Sequence, residues 1–314
     1  MKAAGVDIGT NSVRLLVAEV DQGEGGFHLK TIHRLMTITR LGEGVDERGV
    51  LSNDAMQRTA DVLKGYQEIM RKERTEAWAV AATSAAREAA NAGEFMGLVR
   101  KIMGKEPRVI SGNEEARLSF AGATYDLGAL RPQEGAILVV DIGGGSTELI
   151  VGKDGEILEE RSIDVGCVRM SERFLVTDPP LPTELEEMEE YIRSLTSPYS
   201  ATIAHLSPQL MVGLAGTITT LSGIKRGLDH YDGEVIHHSW LTMEDVEQLY
   251  QHLYSLPLDE RKSYMRLEPG RADVIVGGTA VLKVLLRELG WYRFLISEKD
   301  ILDGLAIAAA EGKG

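Results

Sequence analysis

Two short segments of the chain carry residue types suited to gripping an anion and a metal. Asp141-Ile142-Gly143-Gly144-Gly145-Ser146 sets a carboxylate, three glycines and a hydroxyl in one run, and Asp7-Ile8-Gly9-Thr10-Asn11-Ser12 sets a similar run 134 residues earlier (141 − 7 = 134). Glycine lets the backbone approach a ligand closely, and consecutive N–H groups form a concave nest for an anion. An aspartate at a strand end holds a hard divalent cation, or its water, through oxygen. Either run alone also reads as a hairpin turn with a solvated aspartate. Their duplication favours chemistry: two such turns, one per domain, clasp a phosphate between two carboxylates.

Three further segments could serve the same anion. Ala82-Thr83-Ser84-Ala85-Ala86-Arg87 runs from strand into helix. Thr83 or Ser84 caps that helix, whose free N–H groups favour negative charge. Arg87, about one turn further on, reaches the same phosphate with its fork of donors; the plainer reading is a capped helix with a surface arginine. In Ser111-Gly112-Asn113-Glu114-Glu115, Ser111 and Glu114 fit a capping box, which accounts for Glu114 and not for Glu115. Glu115 is a candidate general base that orients and deprotonates water, set against a solvated glutamate that the helix dipole already favours. Val212-Gly213-Leu214-Ala215-Gly216-Thr217 enters a helix through glycines and offers another phosphate or nucleotide contact at Gly216 and Thr217. It is not a Walker loop, since no Gly-Lys-Ser/Thr follows.

Other candidates carry less. His237-His238 has no Cys or Asp partner at metal spacing and reads as a solvated loop. Gly277-Gly278-Thr279 lies in a helical pattern, where close packing explains it as well as binding does. Cys167 is the one cysteine and reads as a buried structural thiol in a reducing compartment.

The elements that must position these residues follow from periodicity. Each glycine-rich turn follows an apolar stretch, Ala3–Val6 or Ala136–Val140, and precedes a β-prone run, Val13–Val20 or Thr147–Val151. A second turn comes next, Asp21-Gln22-Gly23 or Lys153-Asp154-Gly155, and then a third strand near Phe27–Leu35 or Ile157–Val165. A β-meander found twice predicts two domains of one ancestry opening mixed sheets. The rest alternates helix and strand, as in α/β layers. Helices are expected over Asn53–Arg71, with Met56, Leu63, Tyr66 and Met70 on one face, and over Glu94–Met103, Asn113–Tyr125, Thr217–Lys225, Met243–Tyr254 and Asp300–Ala310. A further helix over Thr183–Ile203 should break near Pro198, and a long one should cover Arg271–Leu289. Strands are expected at Ala77–Ala82, Pro107–Ile110, Leu210–Leu214 and Phe294–Ile296, with a domain boundary in Leu127–Glu134.

Composition narrows the function class. The chain has 314 residues, 43% hydrophobic and 26% charged, which suits two globular domains. Its net charge of −14 argues against nucleic-acid binding and requires metal ions and placed arginines wherever a polyanion is to bind. No stretch reaches the length of a membrane span, and Met1–Asp7 lacks the apolar core of a signal peptide, so a cytoplasmic protein is expected.

The segments Asp7–Leu15, Ala82–Arg87 with Asn91, Ile110–Leu118, Asp141–Leu149, Gly213–Thr217, Arg271–Val274 and Ser297–Gly304 together resemble the exopolyphosphatase / guanosine pentaphosphate phosphatase family, in its order and over nearly the whole chain. The resemblance implies α/β architecture: two actin-like (ribonuclease H-like) domains with mixed five-stranded sheets flanked by helices and a cleft between them. Residues 1–126 with 299–314 would form the first domain and 127–298 the second. It implies Glu115, Asp141 and Glu148 as catalytic residues. It implies phosphate binding by Asp7, Gly9, Thr10, Asn11, Ser12, Arg14, Thr83, Ser84, Arg87, Gly143, Gly144, Gly145, Ser146, Gly216 and Thr217, and Mg²⁺ or Mn²⁺ on Asp141 and Glu148 with Asp7 as a further ligand. The implied substrate is inorganic polyphosphate or guanosine pentaphosphate. A phosphotransferase from ATP and a non-enzymatic polyphosphate or alarmone sensor stand as alternatives, and a homodimer stays open. The chain resembles the short, two-domain form, and Leu302 stands where the family commonly has arginine.

Overall fold

The computed structural model describes residues 1–23, 26–153 and 155–313, so Asp154 of the second expected turn lies outside the described residues. The chain divides into two compact units, Met1–Gly128 with Lys299–Gly314, and Ala129–Glu298.

The first unit is built on a five-stranded sheet of order β3-β2-β1-β4-β5. Strands β1 (Lys2–Ile8), β2 (Ser12–Gly23) and β3 (Gly26–Ile38) form the antiparallel meander. β4 (Ala77–Ala82) and β5 (Arg108–Val109) continue it in parallel with β1. β1 is buried along almost its whole length because helices cover both sheet faces. One is the Asn53–Lys72 helix, capped by the Ser52 hydroxyl, which buries Met56, Leu63, Tyr66 and Met70 as their spacing predicts. The other is Ile301–Ala310, whose Leu302, Leu305 and Ala306 join Ala3, Leu16 and Ala81 in a second core cluster. Leu302 is 1% exposed and serves as packing.

The second unit repeats the plan. β6 (Ile137–Ile142), β7 (Thr147–Lys153) and β8 (Glu156–Ile163) form the meander, and β9 (Leu210–Leu214) runs parallel to β6. β10 (Trp240–Thr242) and β11 (Arg293–Ile296) complete a six-stranded sheet of order β10-β11-β9-β6-β7-β8. It carries one strand more than expected, because the three-residue β10 is too short to show a period of its own.

Three local expectations are corrected. The Pro182–His205 helix is continuous through Pro198; the lost N–H bond is outweighed by the apolar face of Leu185, Met188, Ile192 and Ile203, all buried. The expected Arg271–Leu289 helix begins only at Ile275, after a 3₁₀ turn at Pro269–Arg271. Arg261 Nη1 donates to the Ala272 carbonyl at 3.0 Å in the segment between them. His237 and His238 are half-buried rather than solvated: the Glu298 N–H donates to His237 Nδ1 at 3.1 Å, and the two rings stack at 3.7 Å. No described helix is long and apolar enough to cross a membrane.

Candidate active site

In the first unit, parallel pairing brings several functional segments to one end of the sheet. Ile8 pairs with Ala82, and Ala82 pairs with Val109. The β1–β2 turn, the β4–helix junction at Thr83 and the β5–helix junction before Glu115 therefore share the carboxyl ends of the parallel strands, where ligands of open α/β sheets bind. The turn is closed by Gly9 N–H donating to Ser12 O at 3.0 Å. The Gly42 N–H holds the Thr10 carbonyl at 2.8 Å, and the Thr39 and Arg40 N–H groups hold the Asn11 carbonyl at 3.0 and 2.8 Å. In a trans peptide the N–H points opposite to the C=O, so anchoring these carbonyls turns the Asn11 and Ser12 N–H groups the other way. Asn11 Nδ2 is a buried donor with no hydrogen-bond partner among the described residues.

Asp7, one residue before the end of β1, lies directly across from Arg14 on β2. Arg14 donates twice to Asp7 Oδ2, from Nε at 2.9 Å and Nη2 at 2.7 Å, and its Nη1 bonds Asp300. Arg34 joins Asp300 (3.1 Å) to Asp303 (2.9 Å). Asp300 and Asp303 also cap the Ile301–Ala310 helix reciprocally, so the helix start, the arginines and the turn form one network. Burial pushes Asp7 and Asp303 above the ordinary carboxylate range, with Arg14 and Arg34 only partly offsetting it. Burial would raise Asp300 too, but the Arg14 and Arg34 charges outweigh it and hold that carboxyl below its usual value.

Thr83 begins the Ser84–Glu88 helix without using its hydroxyl as a cap, and Ser84 Oγ donates to Glu88 at 2.7 Å. Glu114 forms only half of the expected capping box: its N–H bonds Ser111 Oγ at 3.2 Å, but its carboxylate turns to Arg108. Glu115 pairs with Arg87, whose Nη1 donates to Glu115 Oε2 at 2.6 Å and to the Ile110 carbonyl at 3.0 Å.

The second unit repeats the turn and changes its charge. Gly143 N–H donates to Ser146 O at 2.9 Å, as Gly9 does to Ser12. The carbonyls of Gly143 and Gly144 are held at 2.9 Å by the N–H groups of Cys167 and Val168, and that of Gly145 by Arg169 Nε at 2.8 Å. The N–H groups of Gly144, Gly145 and Ser146 thus face away from the Cys167–Phe174 helix, as a nest for an anion requires. Asp141 lies across from Glu148, an acid in the place of the first hairpin's arginine. Both are buried, at 6% and 1% exposure. The hydroxyls of Ser146 and Ser162 each donate to Glu148 Oε1 at 2.8 Å. Like charges directly opposite on a sheet repel, and two oxygen donors facing each other in a buried place are the ligand chemistry of a hard divalent cation. The donor set fits Mg²⁺ or Mn²⁺.

At the β9–helix junction Ala215 has φ of 68°, a strained left-handed value for a residue with a Cβ. A Cβ on Gly216 would lie 2.1 Å from the Arg271 guanidinium, so glycine is what lets that cation reach the backbone. Thr217 is 2% exposed and packs with Cys167 against Gly278. Cys167 is a buried free thiol, and burial raises its pKa. Gly277 and Gly278 are packing positions: a Cβ there would lie 2.6 Å from Ser171 Oγ and 2.3 Å from Thr217 Oγ1.

A match to the Ppx/GppA phosphatase family runs over residues 16–308. The chain belongs to that family. It is 39% identical over 318 aligned residues to exopolyphosphatase 2 of Mycobacterium tuberculosis, with 98% of each chain covered. A crystallised exopolyphosphatase-like protein has the same fold with a TM-score of 0.89 at 31% identity, covering 100% of this chain and 99% of its own. The Ppx/GppA family member of Aquifex aeolicus gives 0.80 at 30% identity, covering 100% and 99%. Membership makes the chain a phosphoanhydride hydrolase, and its two mixed-sheet units share the fold of the solved Ppx/GppA proteins. Residue types alone did not single out Arg34, Asp300, Asp303, Ser162, Arg169 or Arg271. For the aspartates a signal existed: an acid three residues after a capping acid, ahead of an apolar run, marks a helix start.

Proposed function

We propose that this Ppx/GppA protein releases orthophosphate from the end of inorganic polyphosphate. Glu115 acts as general base for the attacking water, and Asp141 with Glu148 holds Mg²⁺ or Mn²⁺. The observation that carries this reading is the cross-strand pair of buried carboxylates beside a turn whose N–H groups face outward. The bound cation would supply charge neutralisation on the phosphoryl oxygens. Ser146 and Ser162 orient Glu148 for that task. In the first unit the N–H groups of Asn11 and Ser12 and the Asn11 amide are donors for phosphate oxygens, with Arg87 adding a charged one, and in the second unit the N–H groups of Gly144, Gly145 and Ser146 are. Donors set in advance at the places where charge develops stabilise a phosphoryl-transfer transition state. Glu115 takes the proton from water as the bond to the leaving phosphate breaks. Asp7, committed to Arg14 through Oδ2, orients the first turn rather than leading in metal binding. Thr217, turned to Cys167, serves packing. A cytoplasmic setting belongs to the same reading.

The test is a phosphate-release assay with polyphosphates of several lengths, guanosine pentaphosphate and ATP, each with and without Mg²⁺ or Mn²⁺. Metal-dependent release from polyphosphate is expected, with Glu115→Gln folded and slower by about 10²- to 10⁴-fold. Near-normal turnover in that variant would remove Glu115 from the role. Preference for guanosine pentaphosphate would reassign the substrate, and tight binding without release would point to a sensor.

A further inference from the structure

We propose that Arg87 is a positioning residue that ties the base to the phosphate it acts on, with one guanidinium nitrogen gripping Glu115 and the opposite edge of the same fork taking the terminal phosphoryl group. The inference rests on the reading of Glu115 as the base.

The geometry carries it. Both Arg87 contacts, to Glu115 Oε2 at 2.6 Å and to the Ile110 carbonyl at 3.0 Å, leave from Nη1. Two acceptors on one nitrogen fix the plane of the guanidinium. Arginine carries five N–H donors in a rigid fork, and its Nε–Nη2 edge is one that meets a phosphate with two parallel hydrogen bonds. The pair is neither sealed nor loose, with side-chain exposures of 21% for Arg87 and 12% for Glu115. It lies at the end of the sheet that carries the Gly9 turn. Arg87 lies on the helix that starts after Thr83, and the Thr83 N–H donates to Ile8 O at 3.2 Å, one residue before the Gly9 turn. The Ile110 carbonyl that steadies Arg87 belongs to the segment leading into the Gly112–Thr124 helix, which carries Glu115. An arginine serving only as a phosphate contact would not need a carboxylate on its far side. One that only neutralised Glu115 would not need its fork turned by a backbone carbonyl. Lysine cannot replace it, because a point charge does not present two fixed edges.

A double-mutant cycle on phosphate release from polyphosphate separates these roles. The chains compared are the wild type, Arg87→Ala, Glu115→Gln and the double variant, with kcat and KM resolved and melting curves taken for each. The expected result is a kcat loss for Arg87→Ala of about 10²-fold or more, within the range of Glu115→Gln, and a double variant no slower than the slower single one. Added guanidinium should restore kcat in Arg87→Ala and leave the double variant unchanged, which a merely structural role would not produce. If Arg87→Ala does not fold, Arg87→Lys takes its place, with KM near wild type and kcat reduced. The inference is overturned if Arg87 variants raise KM at unchanged kcat, or if the two kcat losses multiply in an active background. A wild-type chain that releases no phosphate from polyphosphate would defeat the functional reading itself, and this inference with it.

Discussion

The hairpins that open the two sheets share one turn and differ in one cross-strand partner. Gly9 and Gly143 close the turns by the same N–H···O bond, at 3.0 and 2.9 Å, and in both hairpins carbonyls are tied back by neighbouring backbone, with Arg169 Nε holding that of Gly145. Across from Asp7 stands Arg14; across from Asp141 stands Glu148. The first hairpin sets acid across from base, whereas the second sets acid across from acid, the pair that the proposed function assigns to a metal ion. The two hairpins thus share one backbone turn and differ in the charge set across from the aspartate. The first hairpin is a fixed ion-pair frame anchored to Asp300 and Arg34, and the second is the half that the proposed function gives to the metal.

That division can be broken from either side. The largest effect is expected for Asp141→Asn combined with Glu148→Gln: phosphate release falls by about 10²- to 10³-fold or more, while the metal-free melting temperature holds or rises as the like-charge repulsion is removed. Arg14→Met should do the opposite. It leaves Asp7 buried without its partner and Asp300 with Arg34 alone, costing about 3–5 kcal/mol of stability, read by chemical denaturation, whereas the apparent metal affinity of the folded fraction stays close to wild type. Ser162→Ala sharpens the comparison: losing one of two donors to Glu148 Oε1 should weaken metal activation by roughly 10-fold, measured as the Mg²⁺ concentration for half-maximal rate, with little change in stability.

The parts legible in the sequence are those written locally. The repeated turn, the buried face of Asn53–Lys72 and the separation of Glu115 from the Ser111 cap could each be read within a few residues. What was hidden comes from afar. Arg34 meets Asp303 across 269 residues of chain, and no spacing rule links them. Arg261 reaches the Ala272 carbonyl just ahead of the Ile275–Glu288 helix, a contact that no local pattern shows. Pro198 misled because local propensity was outweighed by a buried helix face. The site showed the same limit in Arg87: its fork was visible in the sequence, but its grip on Glu115 emerged only with the fold.

The most direct test of the divided hairpins is Mn²⁺ titration by electron paramagnetic resonance on the wild type, Asp7→Asn and Glu148→Gln. The charge division predicts that Asp7→Asn binds Mn²⁺ with an affinity close to wild type, whereas Glu148→Gln weakens it by roughly 10-fold or more. Unchanged binding in Glu148→Gln, with loss in Asp7→Asn, would place the metal on the other hairpin and contradict the account.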